Sequence, residues 1–247
     1  MTLIQIILAT LAGGVLSVLA AASLSLTVLR GMAHKLVGFS VGLLLAVAFL
    51  NLLPEATEAM DGHQVGMTVL AGILIFFALE KAALWRHDHH EDSNHVCHSH
   101  TAAGSLIVLG DGMHNFVDGV LIAAAFLQDP ALGWATTIAV ISHEIPQEVG
   151  DFMVLLASGY SRLKALWLNL LSSLAAVLGG VIGWFALSGA TGVIPYVLAL
   201  AAASFIYIAV ADLVPALHKH RKPLDFVVQF ALLAAGIGVV LLSPHSH

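Results

Sequence analysis

Apolar residues fill the chain in long runs, and the breaks between runs fall at Pro, Gly and small clusters of charge. A helix needs about 20 apolar residues to cross the hydrocarbon core of a bilayer. The runs supply eight candidates, near 3–29, 36–54, 66–86, 102–127, 131–158, 163–188, 193–217 and 224–243. The pattern predicts an all-α membrane protein, a bundle of eight transmembrane helices in one domain over 1–247. The first run has no Lys or Arg before it and is too long for the apolar region of a signal peptide, so it is expected to remain as a spanning helix.

Composition agrees. The chain is 59% hydrophobic and 10% charged, against about 25% charged in a soluble domain. All nine basic residues fall on one side of the predicted layout: Arg30, Lys35, Lys81, Arg86, Arg162, Lys164, Lys219, Arg221 and Lys222. The opposite loops carry Glu55, Glu58, Asp61 and Asp129. Basic residues mark the cytoplasmic side, so both termini are expected outside. No basic patch interleaved with aromatics suggests a nucleic-acid partner, and the single Cys97 excludes an internal disulfide. Gly179 and Gly183, four apart, suit a close helix crossing.

Between the third and fourth segments the chain reads RHDHHEDSNHVCHSH. His87, His89, His90, His95, His98 and His100 make this predicted cytosolic loop, 87–101, a candidate metal-binding tract; a soluble loop of biased composition is the plainer alternative.

The fourth segment contains DGMHNFVDG, residues 111–119, and the fifth contains HEIPQEVGD, residues 143–151. Both lie near the predicted bilayer centre, where each charge costs about 2.5–3.5 kcal/mol on insertion scales. Residues three or four apart share a helix face. Asp111, His114, Asn115 and Asp118 therefore form one polar stripe. Glu144, Glu148 and Asp151 form another, with His143 and Gln147 beside it. Two facing stripes would bring imidazoles and carboxylates around one ion, a donor set suited to Zn²⁺, Fe²⁺ or Mn²⁺. Asp151 is expected roughly 12 Å below His143 at 1.5 Å per residue, so the polar groups extend as a ladder toward the His-rich loop. Pro146 removes the helical partner of the Ser142 carbonyl, and broken backbone at membrane depth belongs where it lines a cavity. NLLPE at 51–55 and DLVPA at 212–216 form a weak repeat of proline-interrupted helices, as in inverted-repeat transporters. Glu55 and Asp212 are accordingly placed on a transport pathway.

At these residues the chain resembles the ZIP (Zrt/Irt-like) metal transporters, in the branch whose fifth helix reads HExPHExGDF. HNFVDG at 114–119, HEIPQEVGDF at 143–152, LLPEA at 52–56 and FFALEK at 76–81 carry the resemblance. It implies a transmembrane transporter domain taking up divalent metal toward the cytosol through a two-metal centre. His114, Asn115 and Asp118 would come from the fourth helix, and His143, Glu144 and the residue at 147 from the fifth, with Glu148 also on the motif. The branch usually has His where this chain has Gln147, a weaker ligand, which puts two-metal occupancy or zinc preference in question. Zn²⁺ is the expected substrate and occupant, with Fe²⁺, Mn²⁺ and Cd²⁺ as alternatives. The family also implies alternating access, frequent homodimers, and residence in the lipid bilayer, the plasma (inner) membrane if the source is bacterial.

Three other readings compete. An intramembrane zinc metalloprotease would need a second His four residues after His143, where Gln147 stands. A membrane metal sensor leaves the ladder unexplained. Efflux differs from uptake only in direction.

Overall fold

The protein is described by a computed structural model covering residues 2–26, 30–88, 99–218 and 223–242. Among the described residues every regular element is a helix and none is a strand. The α-helices are α1 (Thr2–Leu26), α2 (Arg30–Val47), α3 (Leu53–Ala59), α4 (Gly62–Asp88), α5 (Ser99–Gln128) and α6 (Pro130–Ala157), then α7 (Arg162–Ser173), α8 (Ala175–Leu187), α9 (Ile194–Tyr207), α10 (Val214–His218) and α11 (Pro223–Leu242).

Local chemistry sets several boundaries. Asp129 caps α6, accepting from the amides of Ala131 and Leu132 at 2.8 and 3.0 Å, and Pro130 fills the first helical position, where no amide is needed. Gly159, at φ +86°, ends the same helix in the left-handed region, and the Tyr160 amide returns to the Leu155 carbonyl. Asp61 caps α4 through the amides of His63 and Gln64. Each proline of the NLLPE and DLVPA repeat follows a π-helical stretch, Ala48–Leu52 before Pro54 and Ile208–Leu213 before Pro215. A π turn rearranges the backbone pairing that a proline would otherwise leave incomplete, and such turns concentrate at functional places.

Among the described residues, six stretches are able, by length and composition, to cross a membrane: Thr2–Ser23, Val37–Ala59, Gly62–Leu79, Arg162–Leu187, Thr191–Leu217 and Asp225–Leu242. The helices outside this set, α5 and α6, are those that carry Asp111, Asp118, Glu144, Glu148 and Asp151. α4 runs to Asp88 and α5 begins at Ser99, so the expected 87–101 loop is shortened at both ends by helix. His89, His90, His95 and His98 lie outside the described residues, and the side chains of His87 and His100 are likewise not described.

The helices pack as two groups. α1, α5, α6, α7 and α8 lie chiefly on one another, as do α2, α3, α4, α9, α10 and α11; the broadest contact between the groups is α2 against α6. Glycines set the closest crossings. On the α5–α8 contact a Cβ at Gly119 would strike the Ala176 carbonyl, and one at Gly179 the Phe116 carbonyl. Gly183 brings a third close approach, where a Cβ would come within 3.1 Å of the Ala123 methyl. In α2, Gly42 lies against the Leu233 carbonyl of α11. These contacts fix the height and rotation of α5 and α2.

Candidate metal centre

α5 and α6 pack side by side, and the two stripes meet. His143, Glu144 and Asp118 are about 1% exposed, Glu148 is fully buried, and the His114 side chain keeps 26% exposure. His114 Nε2 lies 3.3 Å from His143 Nε2, 3.4 Å from Glu144 Oε1 and 3.8 Å from Asp118 Oδ2. His143 Nε2 lies 3.2 Å from Asp118 Oδ2 and 3.6 Å from Glu144 Oε1. Zinc–ligand bonds of about 2.0–2.2 Å give a tetrahedron with edges of roughly 3.3–3.6 Å. The five separations that involve an imidazole nitrogen, 3.2–3.8 Å, already stand near those edges.

The protonation pattern fits the same purpose. His143 Nδ1 faces the Ala139 carbonyl at 3.1 Å. A carbonyl only accepts, so Nδ1 donates to it, and Nε2 is the ring nitrogen turned toward Asp118, Glu144 and His114. That nitrogen lies 3.2 Å from the Asp118 carboxylate, so imidazole nitrogen and carboxylate oxygen, the two donor types zinc takes, are turned toward one point. Neither oxygen of Asp118, Glu144 or Glu148 has a hydrogen-bond partner among the described residues. Buried carboxylates left this way are costly on their own and are suited to a cation.

A second group adjoins the first. Asp111, Glu144 and Glu148 each place one carboxylate oxygen within 4.8 Å of the others. Glu144 belongs to both groups. The first holds two imidazoles and two carboxylates, the second oxygen alone.

The remaining expected residues fall elsewhere. Asn115 is buried, but its amide donates to Asp111 Oδ1 at 3.0 Å and to the Asp111 carbonyl at 3.2 Å. Gln147 is half-buried on α6, one turn beyond His143. Asp151 is half-buried further along α6 and belongs to neither group. Glu55 accepts from Gln128 Nε2 at 2.8 Å, at the end of the bundle away from Asp151. Asp212 is exposed on its π-helical stretch.

Around the centre, the 121–126 run of α5 and Ala139 and Val140 of α6 are buried in one apolar core that also includes Leu44 and Phe205. The Phe205 ring lies 6.1 Å from that of His143. The site is thus sealed on the side of the α5–α6 connection, and its carboxylates extend the other way. α7 supplies polar neighbours that the motifs do not reveal. Buried Asn169 donates to the Glu148 carbonyl at 3.2 Å, and Ser172 packs against Gly112, next to Asp111. Their signal in the sequence is faint, two small polar residues three apart in an apolar segment. Pro146 lies inside α6, which runs on as one helix from Pro130 to Ala157, and the Ser142 carbonyl, without an amide at 146, accepts from the Ser40 hydroxyl of α2. The second imidazole of the centre comes from α5, not from position 147, so the hydrolase pattern on one helix is not formed.

A profile described as ZIP zinc transporter matches residues 1–96 and 85–243. The zinc transporter ZIP13 of Pongo abelii is 36% identical over 223 residues, covering 84% of this chain and 66% of the relative. The ZIP13 of Homo sapiens is 32% identical, over 84% of this chain and 70% of its own length. The zinc transporter foi of Drosophila melanogaster is 38% identical over 143 residues, 58% of this chain but only 20% of the relative. The chain thus spans about two thirds of the ZIP13 proteins and a small part of foi. A match running through both helices of the metal centre, and through nearly all the apolar segments, has one reading: this multi-pass membrane chain belongs to the ZIP zinc transporter family.

Proposed function

We propose that the protein carries zinc across the membrane toward the cytosol, through the centre formed by His114, Asp118, His143 and Glu144. The observation that carries this reading is the convergence of two imidazole nitrogens and two buried carboxylates without hydrogen bonds, at separations close to the edge lengths of a zinc tetrahedron. Glu144 passes the ion to the oxygen-only group with Asp111 and Glu148, and Asp151 continues the route. Asn115 orients Asp111, and Gln147 borders the centre as a weak ligand. Glu55 and Asp212 belong to the approaches at the two ends.

In this reading the eight segments expected from the sequence all span, the basic loops face the cytosol, and both termini lie outside. The apolar seal then stands on the outer side and the carboxylates on the inner, so the conformation is closed outward. The assembly in the bilayer is a homodimer, as the resemblance implies. Zinc is the preferred ion, because two imidazoles favour it over Mn²⁺; Fe²⁺ and Cd²⁺ are competing substrates.

The test is zinc flux into proteoliposomes containing a zinc-responsive dye. Saturable flux, reduced by Cd²⁺ and Fe²⁺ more than by Mn²⁺, is expected. Stoichiometric zinc binding with no flux would replace the carrier with a sensor. In the same assay, exchanging residues 89–98 for a Gly/Ser linker of equal length is expected to leave saturable flux in place and to alter only its efficiency. Loss of all flux in a folded linker variant would make the His-rich tract part of the route.

A further inference from the structure

Three features meet around Pro146, inside α6. Pro146 has no amide to give, so the Ser142 carbonyl loses its donor at a depth where water is scarce. That carbonyl belongs to the peptide unit leading directly into His143. The hydroxyl that reaches it comes from Ser40, 1% exposed, on α2, in the other group of helices. The reach is set by packing. Gly38 and Gly42 flank Ser40 in sequence and press α2 against the Gln229 and Leu233 backbone of α11, while α2 makes the broadest contact of its group with α6.

From this we infer that Ser40 is a positioning residue for zinc, holding the His143 backbone by replacing the hydrogen bond that Pro146 removes. Ser40 touches no ligand atom. It acts through the 142–143 peptide unit, and with Ala139 fixing the imidazole from the other side, the ring is set at both its backbone and its Nδ1. Removing a partner of this outer kind costs about 10–100-fold in metal affinity. The inference rests on zinc carriage for its consequence but not for its geometry.

The experiment is a double-mutant cycle on the full chain: wild type, Ser40→Ala, Pro146→Ala and the pair, with Ser40→Thr as the conservative variant. Zinc affinity in detergent, thermal midpoint without metal, and the KM of flux are read on each. Ser40→Ala is expected to weaken zinc binding about 10-fold, to raise KM more than it lowers maximal flux, and to lower the midpoint. Ser40→Thr keeps the hydroxyl and is expected to restore all three. In the Pro146→Ala background residue 146 again donates to Ser142, so Ser40→Ala should lose most of its effect on the midpoint. Equal effects in the two backgrounds, wild-type behaviour of Ser40→Ala, or failure of Ser40→Thr to rescue would each overturn the proposal. If Pro146→Ala does not fold, the Ala–Thr comparison alone decides. Absence of flux in the wild type would sink zinc carriage, and the binding and midpoint readings would still judge Ser40.

Discussion

Glu144→Ala should abolish zinc flux while leaving the metal-free protein as stable as the wild type or slightly more so. Glu144 is the one side chain shared by the imidazole-containing group and the oxygen-only group. Its loss removes a zinc ligand and also the step between the groups. Loss of an outer partner alone lowers metal affinity about 10–100-fold, so loss of this ligand is expected to exceed about 100-fold. Stability should move the other way. Both Glu144 oxygens are buried without a hydrogen-bond partner, and Asp111 and Glu148 stand close by. Removing this carboxylate relieves its crowding with the other two when no ion is bound, and that outweighs the loss of its 3.4 and 3.6 Å approaches to His114 and His143, neither of which is a hydrogen bond. Proteoliposome flux and the thermal midpoint of metal-free protein check the two halves. Retained flux would exclude Glu144 as a ligand; a collapsed midpoint would make it a structural group.

The second large effect is expected at the α5–α8 crossing. Gly179→Val should prevent correct folding, and Gly179→Ala should lower the midpoint markedly, because any Cβ there meets the Phe116 carbonyl. Backbone cannot rotate aside as a side chain does, so the helices must separate. Overpacking commonly costs about 1–3 kcal/mol, and a contact against backbone belongs at the upper end. The loss should reach the metal centre, since Phe116 lies between His114 and Asp118 on the helix being displaced. Gly66→Ala in α4 is the control. Nothing lies within 4 Å of a Cβ there, and alanine gains about 0.5–1 kcal/mol in a helix interior. A Gly179→Ala protein as stable as the control would contradict the close crossing.

Much of this was legible in the sequence because the membrane makes polarity conspicuous. Half-buried His114 and buried Asp118, His143, Glu144 and Glu148 stand out in apolar helices, and their helical spacing already puts them on facing stripes. Helix limits read at Pro, Gly and charge fall close to those observed, 131–158 against Pro130–Ala157 for α6. The break between α7 and α8 at Leu174 escapes such reading, because no Pro or Gly marks it. The π-helical stretches escape it too, since one extra backbone atom set per turn leaves the composition unchanged. Ser40 was not legible at all. A serine in GFSVG looks like any small packing residue, and its role depends on a carbonyl 102 positions away. The oxygen-only group was visible as separate acids, but which oxygens converge depends on the angle between α5 and α6.

The most direct measurement of the central claim is X-ray absorption at the zinc edge on the purified, zinc-loaded protein beside His143→Ala. Two imidazoles with oxygen neighbours at about 2.0–2.2 Å are expected, and one imidazole or no bound zinc in the variant. A first shell without imidazole, or a spectrum unchanged by His143→Ala, would place the zinc somewhere other than between α5 and α6.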